Sequence, residues 1–209
     1  MLNRYFNATE DNIDFLYANI SVKNIYFALV SLDYILDHQT FNLGLYHDEF
    51  TYYFFHIQSV LTACGNISNV FYNHQFTYSK RQTTERCRRL RELLGITKKE
   101  FPLIFQKEVR NTNEHFDERY EQFRGYVGDY NIIGNDTDPL MIDTIQNNPH
   151  LRTYYKENCT YVTYNRKLEQ ISYDLRALRV ELHDMLDRIT RHPVFDSAWT
   201  DSMPGEELK

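Results

Sequence analysis

Apolar residues recur along most of this chain at the three- and four-residue spacing of a helix. Ile13, Leu16, Tyr17, Ile20, Phe27 and Tyr34 predict a first helix from just after Thr9 to about Asp37. Asn42-Leu43-Gly44 interrupts the pattern. Phe50, Tyr53, Phe54, Ile57, Leu61, Cys64, Ile67 and Phe71 then form the stripe of a second helix, from about His47 to Phe76. Gly65 stands inside that helix at a cost of about 1 kcal/mol relative to Ala, which suggests a close helix crossing. A third helix is expected from about Gln82 to Leu94, with Gly95 as its C-cap. Thr97-Lys98-Lys99-Glu100 has the form of a capping box. Pro102 would lose a hydrogen bond and clash if that helix ran on, so a short turn is expected there. The fourth helix then runs from near Pro102 to about Phe123.

Behind it the pattern changes. Gly125, Gly128 and Gly134 fall in an irregular stretch, and Asn131 to His150, rich in Asn, Asp and Pro, reads as a loop. Thr160-Tyr161-Val162-Thr163-Tyr164 and the run from Lys167 to Tyr173 are β-prone, and Asn165-Arg166 between them suggests a hairpin. Leu175, Leu178, Leu182, Met185, Leu186 and Ile189 predict a last helix from about Asp174 to Arg191. The expected fold is mainly α: an antiparallel helical bundle with a small β-hairpin before the C-terminal helix. Residues 1–192 are expected to form one domain, with 125–173 as a loop-and-hairpin insertion. The tail from 193 to 209 lacks apolar periodicity and is expected to be flexible.

Composition refines this picture in a few places. The 209 residues suit one domain, and 42% hydrophobic with 25% charged residues is ordinary for a globular chain. Aromatics reach 15%, so large rings must fill much of the core. No apolar run reads as long enough to span a bilayer, and Met1 to Phe6 lacks the apolar core of a signal peptide. Cys64, Cys87 and Cys159 are odd in number and widely spaced, which fits a reducing cytosol. A cytoplasmic location without a membrane is therefore expected. The cysteines form no CxxC pair. His38, His47, His56 and His74, near Asp37, Asp48 and Glu49, lack the His-x3-His or Glu-x2-His spacing of helical metal sites. Gly-rich phosphate loops, serine elbows and dinucleotide fingerprints are missing too. No metal and no cofactor are expected.

Charge is uneven. The net value is −6, which argues against a strong nonspecific nucleic-acid binder. Yet Lys80 to Arg110 holds ten Lys/Arg against Glu85, Glu92, Glu100 and Glu108, a local +6 that leaves −12 for the rest. Arg86, Arg89 and Lys107 of this island are candidates to guide a phosphate backbone. The competing reading is a solvated helix face with pairs such as Glu85–Arg89.

The island leads into Arg110-Asn111-Thr112-Asn113-Glu114-His115. Arginine is a permanent cation whose planar fork of donors matches a phosphate. Histidine gives or takes a proton near neutral pH. Positions five apart differ by about 140° around a helix, so the long arginine must reach round to the histidine's working zone. Glu114 and Glu118 lie near His115 in sequence, where a carboxylate favours the imidazolium.

This Arg-x4-His spacing, with Asn after the Arg, resembles the motif of the HEPN superfamily, the higher eukaryotes and prokaryotes nucleotide-binding domain. The resemblance spans about residues 10–125 and, more loosely, the last helix. It implies a helical bundle in which two protomers join their motif helices into one composite cleft. It further implies metal-independent cleavage of RNA, in a toxin or defence setting, with RNA as substrate and an antitoxin protein as a further partner. In that chemistry His115 is the general acid or base and Arg110 the clamp on the phosphoryl oxygens. Asn111 orients His115 or contacts the phosphate, and Glu114 assists in substrate binding. The products are a 2′,3′-cyclic phosphate and a 5′-hydroxyl. Family members often add an acidic or polar group from an earlier helix; Asp48 and Glu49 are candidates here, or plain complements of a helix dipole. Other members bind nucleotides or partners without cleaving, so a noncatalytic helical module binding a protein or nucleotide is the alternative.

Overall fold

The computed structural model describes residues 10–37, 49–72, 80–114, 131–134, 152–165, 167 and 169–192. They form a mainly helical protein with one small sheet. The order is α1 (Glu10–Leu36), α2 (Glu49–Tyr72), α3 (Lys80–Leu94), α4 (Lys107–Glu114), β1 (Asn131–Gly134), β2 (Arg152–Tyr155), β3 (Thr160–Tyr164), β4 (Gln170–Asp174) and α5 (Leu175–Thr190). The flexibility expected of 193–209 falls outside the described residues.

α1 and α2 form the centre, and they run antiparallel. The Tyr52 hydroxyl donates to the Tyr34 carbonyl at 2.9 Å, while Asn66 Nδ2 meets Asn24 Oδ1 at 2.9 Å. Later residues of one helix thus meet earlier residues of the other. Between them Val22, Ile25, Leu29, Leu32, Ile57, Val60, Leu61 and Ile67 are buried. α1 differs from expectation in one respect. By length and composition Ile13–Leu36 is apolar enough to cross a membrane, at a mean hydropathy of 1.3. Its inner face is nevertheless part of the core, with Ile25, Leu32 and Ile35 fully buried.

α3 is tied to both central helices. The last carbonyls of a helix lack internal partners. Here the Cys87 thiol donates to Val70 O at 3.2 Å, and Arg91 Nη1 donates to Phe71 O at 2.5 Å. Gly95 ends α3 at φ +62°, which glycine reaches without steric cost, and Ile96 N–H returns to Arg91 O at 3.0 Å. The capping box forms as a turn: Glu100 N–H donates to Thr97 Oγ1, whose hydroxyl reaches Glu100 Oε2 at 2.8 Å. Turns then occupy 98–105, so the next helix begins at Lys107 rather than near Pro102.

The expected 131–150 loop needs correction. Asn131–Gly134 is a strand, paired parallel with β2. β2, β3 and β4 are antiparallel, and the hairpin expected around Asn165 is β3–β4. Four strands in the order β1-β2-β3-β4 therefore replace the lone hairpin. The sheet contributes three fully buried tyrosines, Tyr154, Tyr161 and Tyr173. Asp174 caps α5 by accepting from Arg176 and Ala177 N–H, the ordinary use of an N-cap aspartate. Leu175, Leu178, Leu182, Met185 and Ile189 carry α5 into the core, in the register expected.

Candidate functional site

Arg110 lies where α4 crosses α2. Its aliphatic stem passes over Gly65: a Cβ built there would stand 2.6 Å from Arg110 Cδ, too close for any real contact. The glycine that weakens α2 is what lets the stem lie against its backbone. The guanidinium ends with Nη1 3.4 Å from the Gly65 carbonyl. Beside it is a small cavity of about 10 Å³, room for one water molecule. Ser68, Gln106, Lys107 and Arg110 bring polar groups to it, and Cys64 and Tyr173 close it from below. Lys107, one turn before Arg110, is exposed. A phosphate is too large for the cavity, so an anion drawn by these two cations would sit at its rim.

The segment that launches α4 is fixed by two distant elements. The Glu181 carboxylate of α5 accepts from Leu103 N–H at 3.0 Å and Ile104 N–H at 3.1 Å. The Tyr173 hydroxyl of β4 donates to Leu103 O at 2.8 Å. Burial pushes the Glu181 carboxyl above its usual range, and the two backbone donors pull it partly back. Burial also pushes the Cys64 thiol to about 12; the Tyr173 hydroxyl opposes this and the Glu181 charge adds to it. Cys64 is therefore a buried, protonated, unreactive thiol. Further along α4, Thr112 is buried, and its hydroxyl stands 3.0 Å from both Glu108 O and Tyr164 O. α4 is held at its start by β4 and α5 and at its middle by β3.

The remaining expected site residues divide into three groups. Asn111 is half-buried on α4 next to Arg110. Glu114 is the last residue of α4, and nothing about its side chain falls within the described residues; His115 lies outside them altogether. Of the two earlier acidic candidates, Asp48 lies outside the described residues and Glu49 opens α2. Arg86 and Arg89 sit elsewhere, on the α3 face against α1. Arg86 Cζ lies over the Tyr17 ring, 3.5 Å from its centroid. Arg89 grips the buried Asp14 carboxylate with two donors, Nη2 to Oδ1 at 2.9 Å. Lys107 and Arg110 line one cavity, Asn111 is the next residue on the same helix, and Arg86 and Arg89 are on a different helix. The rest of the basic island is likewise distributed: Arg88 pairs with Glu92, and Lys98 lies over Tyr72.

Sequence reasoning did not find Glu181, Tyr173, Cys64 or Thr112 as supports of this region. Their separations run from 45 to more than 70 residues along the chain, so no local pattern links them. Gly65 did carry a local signal, a glycine inside an otherwise apolar helix. The class defined by fold and site is a mainly helical protein with a fixed arginine at a helix crossing. Comparison with family models, with curated proteins and with solved structures finds no match for this chain.

Proposed function

We propose that this chain is a metal-independent endoribonuclease of the HEPN type, acting on RNA in the cytoplasm as a toxin or defence effector. The observation that supports this most is the seating of Arg110 across Gly65, beside a small cavity of mixed lining and one turn from Lys107. A phosphoryl-transfer catalyst needs a cation fixed before charge develops, since no reorganisation is then required during reaction. Gly65, Thr112 and the Glu181-held turn supply that rigidity.

In this reading the ribose 2′-hydroxyl attacks the adjacent phosphorus while His115, five residues past Arg110, moves the proton. Arg110 stabilises the phosphoryl oxygens, with Lys107 drawing the backbone in. Asn111 orients His115 or contacts the phosphate, and Glu114 assists binding. The 5′-oxygen leaves protonated and a 2′,3′-cyclic phosphate remains. DNA lacks the nucleophile and is not a substrate. Two protomers join their α4 helices into a composite cleft, and an antitoxin protein is the natural restraint.

The test is incubation of wild type, Arg110→Ala and His115→Ala with single-stranded and structured RNA in EDTA. Cleavage by wild type alone, leaving cyclic-phosphate ends, is expected. Uncut RNA throughout, or equal cutting by all three, overturns the proposal. The second reading, a noncatalytic partner-binding module, is favoured by the apolar outer face of α1, since large exposed apolar patches mark protein contacts.

A further inference from the structure

α1 is apolar on both sides, and only one side is used within the described protein. Outside lie Leu16 (56% exposed), Tyr26 (46%), Phe27 (64%), Val30 (54%) and Tyr34 (47%). At about 100° per residue, all of these fall within roughly 60° of Val30 around the helix axis. They form one straight stripe rather than a scatter. Charged residues flank its Tyr26–Tyr34 part, with Leu16 one step further toward the N-terminus. Lys23, seven residues before Val30, and Asp37, seven residues after it, lie on the same stripe and are both exposed. A row of residues seven apart is the geometry of a helix-on-helix seam.

We propose that this stripe is the contact between two copies of the chain, paired antiparallel about a two-fold axis at Val30. The argument is self-complementarity. In a two-fold pairing the same patch serves both sides, so residues equally far from the axis on opposite sides meet. Val30 meets itself, Tyr26 meets Tyr34 of the partner subunit, and Phe27 lies level with Asp33 of the partner subunit at the edge of the seam. Lys23 meets Asp37 of the partner subunit, and this happens twice. Asp37 already shares Arg179 with Asp33, at 3.2 and 2.8 Å. That cluster carries a charge of −1, which one incoming lysine neutralises. A register shifted by one turn loses both charge matches.

Size fits as well. Leu16 lies past the end of the partner helix, and the other four side chains, each about half exposed, present on the order of 400 Å² of apolar surface. A standard interface buries about 800 Å² per partner. Lys23, Asp37 and the adjoining Phe55 bring the face toward that range; Phe55 joins it through His56, whose ring stacks on Tyr34 at 4.8 Å. None of the residues lining the Arg110 cavity belongs to α1, so this contact is separate from any pairing of α4 helices. If both form, the assembly is a tetramer.

The rival occupant is a lipid bilayer, which the hydropathy of α1 would also suit. Two exposed, oppositely charged residues on the stripe favour a protein surface over hydrocarbon.

The test is the mass of the full chain by light scattering at tens of micromolar, a concentration at which a micromolar Kd leaves most chains paired. Val30→Lys is expected to halve the mass. Val180→Lys, at an exposed position on α5, is expected to leave it unchanged. Lys23→Glu faces Asp37 with a like charge and is expected to weaken association about tenfold. Circular dichroism confirms that each variant is folded. A monomeric wild type overturns the proposal, as does a Val30→Lys protein of unchanged mass or an equal loss with Val180→Lys. Flotation of monomeric wild type with phosphatidylcholine vesicles would assign the stripe to lipid instead. None of these readings depends on RNA cleavage.

Discussion

Two arginines from the same basic island, Arg89 on α3 and Arg110 on α4, have opposite surroundings. Arg89 faces a buried carboxylate, Asp14, and locks onto it with both arms of its fork. Arg110 faces the backbone of a glycine and a small cavity of mixed lining. The sequence offers the same cation in both places; the partner decides what it does. A guanidinium saturated by a carboxylate staples two helices. Arg110 is packed along its stem against the backbone of α2, with its head beside a small cavity, and under the proposed function that is where a phosphate would be met.

Substitution at each position should therefore produce reciprocal results. Arg110→Ala is expected to lower RNA cleavage by about 10²–10³-fold, the span of one preorganised donor, measured as initial rate. Its melting temperature should move little. Arg89→Ala leaves Asp14 buried without its cation. Breaking a buried pair costs roughly 3–5 kcal/mol, and the one-third exposure of Arg89 brings the expectation to about 2–3 kcal/mol of lost stability by urea titration. Its cleavage rate, measured well below the melting point, should stay within a few-fold of wild type. If Arg89→Ala lost cleavage without losing stability, the division between staple and site would fail.

Gly65→Ala sharpens the same comparison from the other helix. Alanine is the better helix former by about 1 kcal/mol, yet its methyl must displace the Arg110 stem. The two effects nearly cancel in stability, so a denaturation midpoint close to wild type is expected. Cleavage is expected to fall nearly as far as in Arg110→Ala. A fully active Gly65→Ala would mean that the seat of Arg110 does not matter to the chemistry.

How much of this was legible depends on distance along the chain. α1, α2 and α5 follow from apolar spacing, because each carries apolar positions over four or more turns, while α3 was marked by its glycine stop. Gly95 and Thr97–Glu100 follow from local cap chemistry. β1 and β2 did not. Asn131-Ile132-Ile133-Gly134 and Arg152-Thr153-Tyr154-Tyr155 are four residues each, too short for a period, and their parallel pairing spans about twenty residues. The paired Ile132-Ile133 and Tyr154-Tyr155 were the available signal, outweighed by the Asn and Asp around them. At the site, Arg110 and Lys107 stood out by residue type. The contacts that separate Arg110 from Arg89 did not, because Asp14 and Gly65 lie 75 and 45 residues from their arginines.

The smallest expected effect concerns the support beneath Arg110. Burial raises the Glu181 carboxyl above its ordinary value, so the folded protein takes up this proton more readily than the unfolded chain. Its contribution is thus fully present below the unfolded value near 4.5 and is lost as pH rises through the folded value. Glu181→Gln keeps an acceptor for the Leu103 and Ile104 N–H groups but removes the titration. Its melting temperature at neutral pH should be close to wild type, while wild type alone should gain from this group between neutral and mildly acidic pH. The difference between the two melting curves across that range isolates Glu181 from every other carboxylate. A difference of the opposite sign would mean that the carboxylate is held by its backbone donors more strongly than burial disfavours it. The turn that launches α4 would then rest on a charge, where Arg89 rests on one too, and the contrast between the two arginines would narrow to what their heads face.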